Sequence, residues 1–206
     1  MALDEATTGF LRQMAESGAK PLHEMTPEEA RGLGVMLRDL YGAGPDLDRV
    51  YEDAVPTPDG SSFGVRILIP NDSPRAVIVY YHGGGWVIGA IDEFDTLGRL
   101  LAERTGAAVV LVDYRLAPEH RHPTAAEDAW TALGWVEERI EQIAGSRVPL
   151  IVAGDSAGGN LAAIVAQRAG AGNGPDISLQ VLVYPVTDAD VDNTSKEYEG
   201  FALTPA

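Results

Sequence analysis

The sequence has no cysteine and few histidines, and both shortages limit the chemistry it can perform. Without cysteine the chain forms no disulfide bond and offers no thiolate to a metal ion. Its 206 residues include 4 histidines, at His23, His82, His120 and His122. Because none follows residue 122, a reaction that needs a histidine base has few candidates within this chain.

Basic residues and long apolar runs are also scarce. Lys and Arg number 15 against 31 Asp and Glu, which gives a formal net charge of −16. Because a surface this acidic repels phosphate backbones and anionic lipids, we expect no nucleic acid partner. No apolar run approaches the roughly 18 residues that span a bilayer. The first 20 residues lack the basic start and apolar core of a signal peptide, so we expect a cytoplasmic protein.

The pattern of elements indicates one α/β domain preceded by a helical segment. Residues 1–45 predict two helices, the second opened by a capping box at Thr26–Glu29. They form either a packed pair or a lid, and we expect the catalytic domain to occupy 46–206. From Val50 an antiparallel hairpin is followed by apolar runs that alternate with helical segments. This alternation predicts a mostly parallel sheet with helices on both faces.

A strand-to-helix corner is predicted at Ser156. The chain reads Gly154-Asp155-Ser156-Ala157-Gly158, which fits the G-x-S-x-G pattern of a nucleophile elbow. An apolar strand precedes the motif and a helical segment follows it at once, so the serine hydroxyl is expected at the carboxyl end of the sheet. The alternative is that Ser156 only caps the helix.

A glycine-rich loop is expected after the third strand. It reads His82-Gly83-Gly84-Gly85-Trp86, and its glycines leave backbone N–H groups without a side chain in the way. Such groups stabilise the oxyanion that develops during acyl transfer. A phosphate loop is the alternative, but it calls for the Gly-Lys-Ser/Thr sequence, which is absent here.

Together these motifs resemble the hormone-sensitive-lipase family of α/β-hydrolases, the bacterial family IV esterases. A third matching segment is Asp113-Tyr114-Arg115-Leu116-Ala117-Pro118-Glu119. The resemblance implies an α/β-hydrolase fold, an N-terminal helical cap, and hydrolysis of short- to medium-chain acyl esters without a cofactor. It makes Ser156 the nucleophile and assigns the oxyanion hole to the N–H groups of Gly83, Gly84 and Ala157. It also implies that His82 supports the loop. Asp155 would be a residue of the elbow, together with Gly154 and Gly158, and would not be the acid of the catalytic triad.

The resemblance also implies what this chain does not contain. The family places its triad acid and histidine after the nucleophile, near its last strands, so no triad acid or histidine is expected within these residues. The last two strands of the fold are expected to be missing, and this chain alone is expected to be weakly active or inactive. A substitute base at His120 or His122 is a less favoured alternative. Many members pair through their final strand, so the resemblance allows a homodimer for a full-length form.

Two further functions stay open. A non-catalytic small-molecule binding protein can share the same fold and glycine loop, as in plant gibberellin receptors, and retain the serine without the histidine. Acyl transfer or amide hydrolysis would use the same residues with a different acceptor or leaving group. Metal binding is not expected, since the alternation of Asp188, Asp190 and Asp192 lacks the glycine of a calcium loop.

Overall fold

The computed structural model describes residues 3–16, 18 and 20–188. Asp190 and Asp192 of the acidic alternation lie outside the described residues. By their contacts the residues divide into two compact units, one formed by 1–30 with 188–206 and the other by 31–187. Among the described residues no helix is long and apolar enough to cross a membrane.

The N-terminal residues form the two predicted helices. Helix α1 is Glu5–Glu16, a short 3₁₀ turn follows at Leu22–Glu24, and α2 is Pro27–Tyr41. The capping box is present in both directions, since the Thr26 N–H donates to Glu29 Oε2 at 2.7 Å and the Glu29 N–H donates to Thr26 Oγ1 at 3.2 Å. These bonds satisfy two helix-terminal N–H groups that otherwise lack partners. The division at residue 45 stays a prediction.

The second unit is built on one six-stranded sheet. Its strands are β1 Arg49–Pro56, β2 Ser62–Ile69, β3 Val77–Tyr81, β4 Ala108–Asp113, β5 Leu150–Asp155 and β6 Ile177–Val183. Their order across the sheet is β1-β2-β4-β3-β5-β6. The predicted hairpin β1–β2 is antiparallel and joins β4 antiparallel, while β4, β3, β5 and β6 are mutually parallel. The predicted fold class, a mostly parallel sheet in an α/β arrangement, is confirmed.

Helices cover both faces of this sheet, as predicted. They are α3 Asp95–Thr105, α4 Thr124–Ala144 and α5 Ser156–Arg168, which continues into a π-helical turn at Ala169–Asn173. Alternate strand residues face opposite ways, so the core divides in two. One half packs Val79 and Val110 with residues of α4 and α5. The other packs Ile78 and Val109 with α3.

A buried ion pair joins the hairpin, β4 and α4. Arg115 donates to Asp128 from its backbone N–H and from two guanidinium nitrogens, at 2.7 to 3.0 Å. A third guanidinium nitrogen donates to Asp59 Oδ2 at 2.7 Å and Ser61 Oγ at 2.8 Å in the β1–β2 turn. The side chain of Asp128 is only 1% exposed. Arg115 therefore anchors the turn after β4 that leads toward residues 116–119.

Candidate active site

The register of the sheet brings the two predicted motifs to one edge. Tyr81, the last residue of β3, pairs with Gly154 near the end of β5. The segment 82–89, here called the glycine loop, therefore begins beside the elbow that follows β5. In open parallel sheets ligands bind outside the carboxyl ends of the strands. This edge is the expected place for a reactive site.

Ser156 lies at a sharp corner of the backbone. Strand β5 ends at Asp155 and helix α5 begins at Ser156, with no residue between them. The φ angle of Ser156 is 51°, in the left-handed region that a residue with a side chain rarely adopts. Such a conformation costs on the order of 1–3 kcal/mol and persists where the surrounding structure imposes it. The corner has the geometry of a nucleophile elbow.

The capping alternative for Ser156 is wrong. Asp155 is the residue that precedes the helix, and Ser156 is already the first helical residue. No side chain forms a cap hydrogen bond there. The N–H groups of the first turn of α5, including that of Ala157, have no acceptor within the helix. They are available to a negative charge placed above Ser156.

The elbow glycines allow helix α5 to approach the sheet closely. A Cβ atom on Gly158 would lie 1.9 Å from the carbonyl oxygen of Tyr81, and one on Gly154 would lie 2.4 Å from the Gly158 carbonyl carbon. Both obstacles are backbone atoms and cannot turn aside. The spacing of the G-x-S-x-G pattern therefore has a steric cause at both glycines.

The Asp155 carboxylate connects the elbow to the glycine loop. Its Oδ1 atom accepts hydrogen bonds from the Gly83 N–H at 3.0 Å and from the Tyr80 hydroxyl at 2.8 Å. Burial, followed by the nearby Asp155 charge, raises the pKa of Tyr80, so its hydroxyl stays protonated and donates. Asp155 thus bonds to the loop through its carboxylate, a contact across 72 residues of sequence.

This contact corrects the assignment of Gly83 to the oxyanion hole. The Gly83 N–H is already engaged by Asp155 Oδ1 and is not free for a substrate oxygen. Among the described residues, no protein acceptor takes the N–H of Gly84 or Gly85. The sequence pointed to the right loop but not to Gly85 or Tyr80. Three successive glycines were the signal for Gly85, whereas nothing local distinguished Tyr80 from a core tyrosine.

His82 lies beneath the loop. Its side chain is almost fully buried and stacks on Tyr114, with ring centroids 4.4 Å apart, and on Phe94 at 5.3 Å. Its Nδ1 atom lies 2.7 Å from the carbonyl oxygen of Gly83, and its buried Nε2 atom has no hydrogen-bond partner among the described residues. Burial lowers the pKa of His82 and keeps the ring neutral. The ring packs between Tyr114 and Phe94 under the loop, where burial disfavours its protonated form.

The Ser156 hydroxyl has no base in the described part of the chain. No side chain there hydrogen-bonds to it, and no group of three or more His, Asp and Glu residues is arranged to hold a metal ion. His120 and His122 are exposed. The backbone of Ser156 bonds to the segment after β6, because its carbonyl accepts from the Val186 N–H at 3.1 Å. The Asn160 amide donates to the Val186 carbonyl at 2.8 Å and holds the same segment against α5.

Comparison with known proteins gives the same fold. The sequence model of the α/β-hydrolase fold family matches residues 78–206, more than half of the chain. The chain belongs to the α/β-hydrolase family. Its motifs are those of the hormone-sensitive-lipase branch, and the resemblance found in the sequence is confirmed.

Several relatives of this α/β-hydrolase chain are named esterases. Carboxylesterase NlhH of Mycobacterium tuberculosis is 50% identical over 56% of this chain and 36% of its own length. Ethyl acetate hydrolase of Pseudomonas putida is 36% identical over 97% of this chain and 66% of its own length. A solved hyperthermophilic esterase from the archaeon Pyrobaculum calidifontis superposes with a TM-score of 0.81 at 36% identity, covering 90% of this chain and 60% of that one. The chain thus spans between about a third and two thirds of these relatives' lengths.

A large open groove lies on the α3 face of the sheet. Its volume is about 1150 Å³, and its walls include Ile78, Ala153 and Val181. One end of the groove reaches Asp155 and Tyr184, the residue after β6. The other end reaches the amino ends of the strands. Val181 is 42% exposed, so apolar sheet surface is open to solvent within the described residues.

Proposed function

We propose that this chain carries the nucleophile and oxyanion site of a serine carboxylesterase that acts on short- to medium-chain acyl esters. The observation that carries the proposal is the positive φ angle of Ser156 at the β5–α5 corner, beside the glycine loop. Relatives named carboxylesterase and ethyl acetate hydrolase support this choice of reaction. A cytoplasmic location, and a homodimer for a full-length form, belong to the same proposal.

The oxyanion would be held by the N–H groups of Gly84, Gly85 and Ala157. Gly83 is left out because its N–H donates to Asp155. Gly84 has a φ angle of 119° and Gly85 one of 60°, conformations that glycine adopts without the steric cost that a side chain would bring. Loss of one such donor typically costs about 3 kcal/mol of transition-state stabilisation.

The reaction proceeds in two steps at Ser156. In the first, its Oγ atom bonds to the ester carbonyl carbon while a base takes the hydroxyl proton, and the ester C–O bond breaks as that proton passes to the leaving alcohol. In the second, water attacks the acyl-enzyme, its proton moves to the base and then to Ser156, and the carboxylic acid leaves. The proposed mechanism uses no cofactor.

The base is proposed to be a histidine in the part of the relatives' length that this chain does not span. No histidine follows residue 122, whereas the family places its acid and histidine after the nucleophile. His82 does not fit this role because it is buried and its Nδ1 atom lies against the Gly83 carbonyl. The chain alone is therefore expected to acylate slowly and to turn over feebly.

The test is covalent labelling of Ser156 with a fluorophosphonate, with and without added imidazole to replace the missing base. We expect slow labelling that imidazole accelerates, located at Ser156 by peptide mass spectrometry and absent in Ser156→Ala. Hydrolysis of p-nitrophenyl acetate should show the same dependence after subtraction of the Ser156→Ala rate. Fast turnover without imidazole would contradict the proposal that this chain lacks the general base.

The non-catalytic alternative shares the fold and the glycine loop; the observation that favours it is that, within residues 3–16, 18 and 20–188, no side chain forms a hydrogen bond with the Ser156 hydroxyl. A binding protein would give no Ser156 adduct with the fluorophosphonate even when imidazole is present. It would also bind an ester such as ethyl butyrate without consuming it, as isothermal calorimetry and product analysis would show. Absence of the adduct together with binding of the intact ester would replace the esterase proposal with a binding function; slow consumption of the ester alone would not, because this chain is expected to turn over feebly.

A further inference from the structure

We propose that Arg31, on helix α2, is a positioning residue that holds the glycine loop in the shape required for oxyanion binding. The inference rests on the proposed esterase function, and none of the active-site motifs includes this residue. It begins from an unusual concentration of hydrogen bonds on one guanidinium group. That group reaches two separate loops, each more than 50 residues away along the chain.

The first contact is with the glycine loop itself. The Arg31 Nε–H donates to the carbonyl oxygen of Val87 at 2.8 Å. The Val87 N–H in turn donates to the carbonyl oxygen of Gly84 at 3.1 Å, and the Ile88 N–H donates to the same oxygen at 2.9 Å. Arg31 therefore holds the peptide that closes the turn containing Gly84, one of the proposed oxyanion donors.

The second contact is with the segment after β4. Arg31 Nη2 donates to the Ala117 carbonyl at 2.9 Å, and both Nη atoms form a two-pronged pair with the Glu119 carboxylate at 2.9 and 2.8 Å. The two loops also bond directly, because the Ala117 N–H donates to the Trp86 carbonyl at 2.8 Å. Arg31 thus bonds to both loops at once and holds them at a fixed distance from each other.

The exposure of this pair separates positioning from stability. The Arg31 side chain is 32% exposed and that of Glu119 is 54% exposed. Ion pairs as exposed as this contribute little to the free energy of unfolding, because water screens the attraction. A displacement of about 1 Å in a catalytic group can nevertheless reduce the rate about a hundredfold. Loss of Arg31 should therefore alter the loop much more than the stability of the protein.

The planar guanidinium group is needed for this arrangement. Its fork satisfies a carboxylate with two parallel bonds while Nε remains free for the Val87 carbonyl. A lysine ammonium is a point charge on a flexible stem and does not reproduce that geometry. The Arg31→Lys variant should therefore retain the charge but recover only part of the effect.

The experiment compares Arg31→Gln and Arg31→Lys with Arg168→Gln as a matched control. Arg168 also forms an exposed ion pair, with Glu127 at 3.0 Å, and contacts neither loop. Hydrogen exchange at the Val87 and Ile88 amides reports the turn directly, because both N–H groups bond to the Gly84 carbonyl. We expect exchange to accelerate about tenfold in Arg31→Gln, less in Arg31→Lys and not at all in Arg168→Gln.

A second readout follows the chemistry. The imidazole-assisted labelling rate of Ser156 should fall about 10- to 100-fold in Arg31→Gln, while the urea midpoint shifts no more than in Arg168→Gln. Unchanged exchange at Val87 and Ile88, or a change equal to that in the control, would overturn the proposal. If Ser156 in the unmodified chain takes no label, the esterase proposal fails, yet the exchange result still decides whether Arg31 holds the loop.

Discussion

Replacing Asp128 by alanine should destabilise the protein strongly, whereas replacing Asp59 should have a much smaller effect. Both carboxylates bind the same guanidinium group, that of Arg115, and at the same 2.7 Å. They differ in burial, since the side chain of Asp128 is 1% exposed and that of Asp59 is 57% exposed. The comparison therefore contrasts a buried partner of Arg115 with a largely exposed one.

The magnitude follows from what is left behind. Asp128→Ala removes three hydrogen-bond acceptances from Arg115, whose side chain is only 15% exposed. Breaking a buried ion pair from one side costs about 3–5 kcal/mol. With a urea dependence of about 2–3 kcal/mol/M, the unfolding midpoint should fall by about 1–2.5 M. The Asp128→Asn variant keeps an acceptor oxygen and loses the charge, so its unfolding midpoint should lie between those of the unmodified protein and Asp128→Ala.

The assay is urea unfolding followed by far-ultraviolet circular dichroism at low and high salt. For Asp59→Asn we expect a small midpoint shift that high salt reduces, because the exposed charge is screened. The Asp128 variants should respond little to salt. Equal midpoint shifts for the Asp128→Asn and Asp59→Asn variants would show that burial does not set the cost.

Three further predictions concern the elbow, the loop and the groove. Gly158→Ala should abolish Ser156 labelling and lower the urea midpoint, because its Cβ would lie 1.9 Å from the Tyr81 carbonyl oxygen; Gly170→Ala, with open space around it, should change neither. Because burial lowers the pKa of His82, the folded state binds fewer protons there, so stability should fall as the pH drops through about 6.5. His82→Asn should lose less stability than the unmodified protein between about pH 7.5 and 5.5 in urea titrations. Val181→Glu should reduce binding of the anionic dye ANS, since Val181 is 42% exposed in the apolar groove and a carboxylate there would repel the dye; undiminished fluorescence would place the dye elsewhere.

The elements were predictable because their signals are local. The capping box at Thr26 and Glu29 is written within four residues, and both of its bonds form. The apolar runs of β3, β4 and β5 mark strands buried on both faces, and each run became a parallel strand. The order of those strands across the sheet could not be predicted in this way, because strand pairing depends on contacts between distant parts of the chain.

The candidate site was partly predictable for the same reason. The spacing of Gly154, Ser156 and Gly158 is contained within five residues, so the elbow could be recognised in the sequence, although the nearest obstacle to a side chain at Gly158 is the Tyr81 carbonyl of β3. The glycine loop was also recognisable, but which of its N–H groups is free was not. That depends on Asp155, whose carboxylate reaches Gly83 only because β3 and β5 are neighbours in the sheet.

The family could be recognised from the amino-acid sequence, and so could the elbow at Ser156 and the glycine loop, because their motifs are short and have fixed spacing. Three contacts emerged only in the folded chain: the Gly83 N–H and the Tyr80 hydroxyl both donate to Asp155, and Arg31 of α2 donates to the Val87 carbonyl. The hydrogen bonds of Asp155 and Arg31 join residues 56 to 88 positions apart. Such partners meet only when the sheet and helices have packed, so no local pattern could record them.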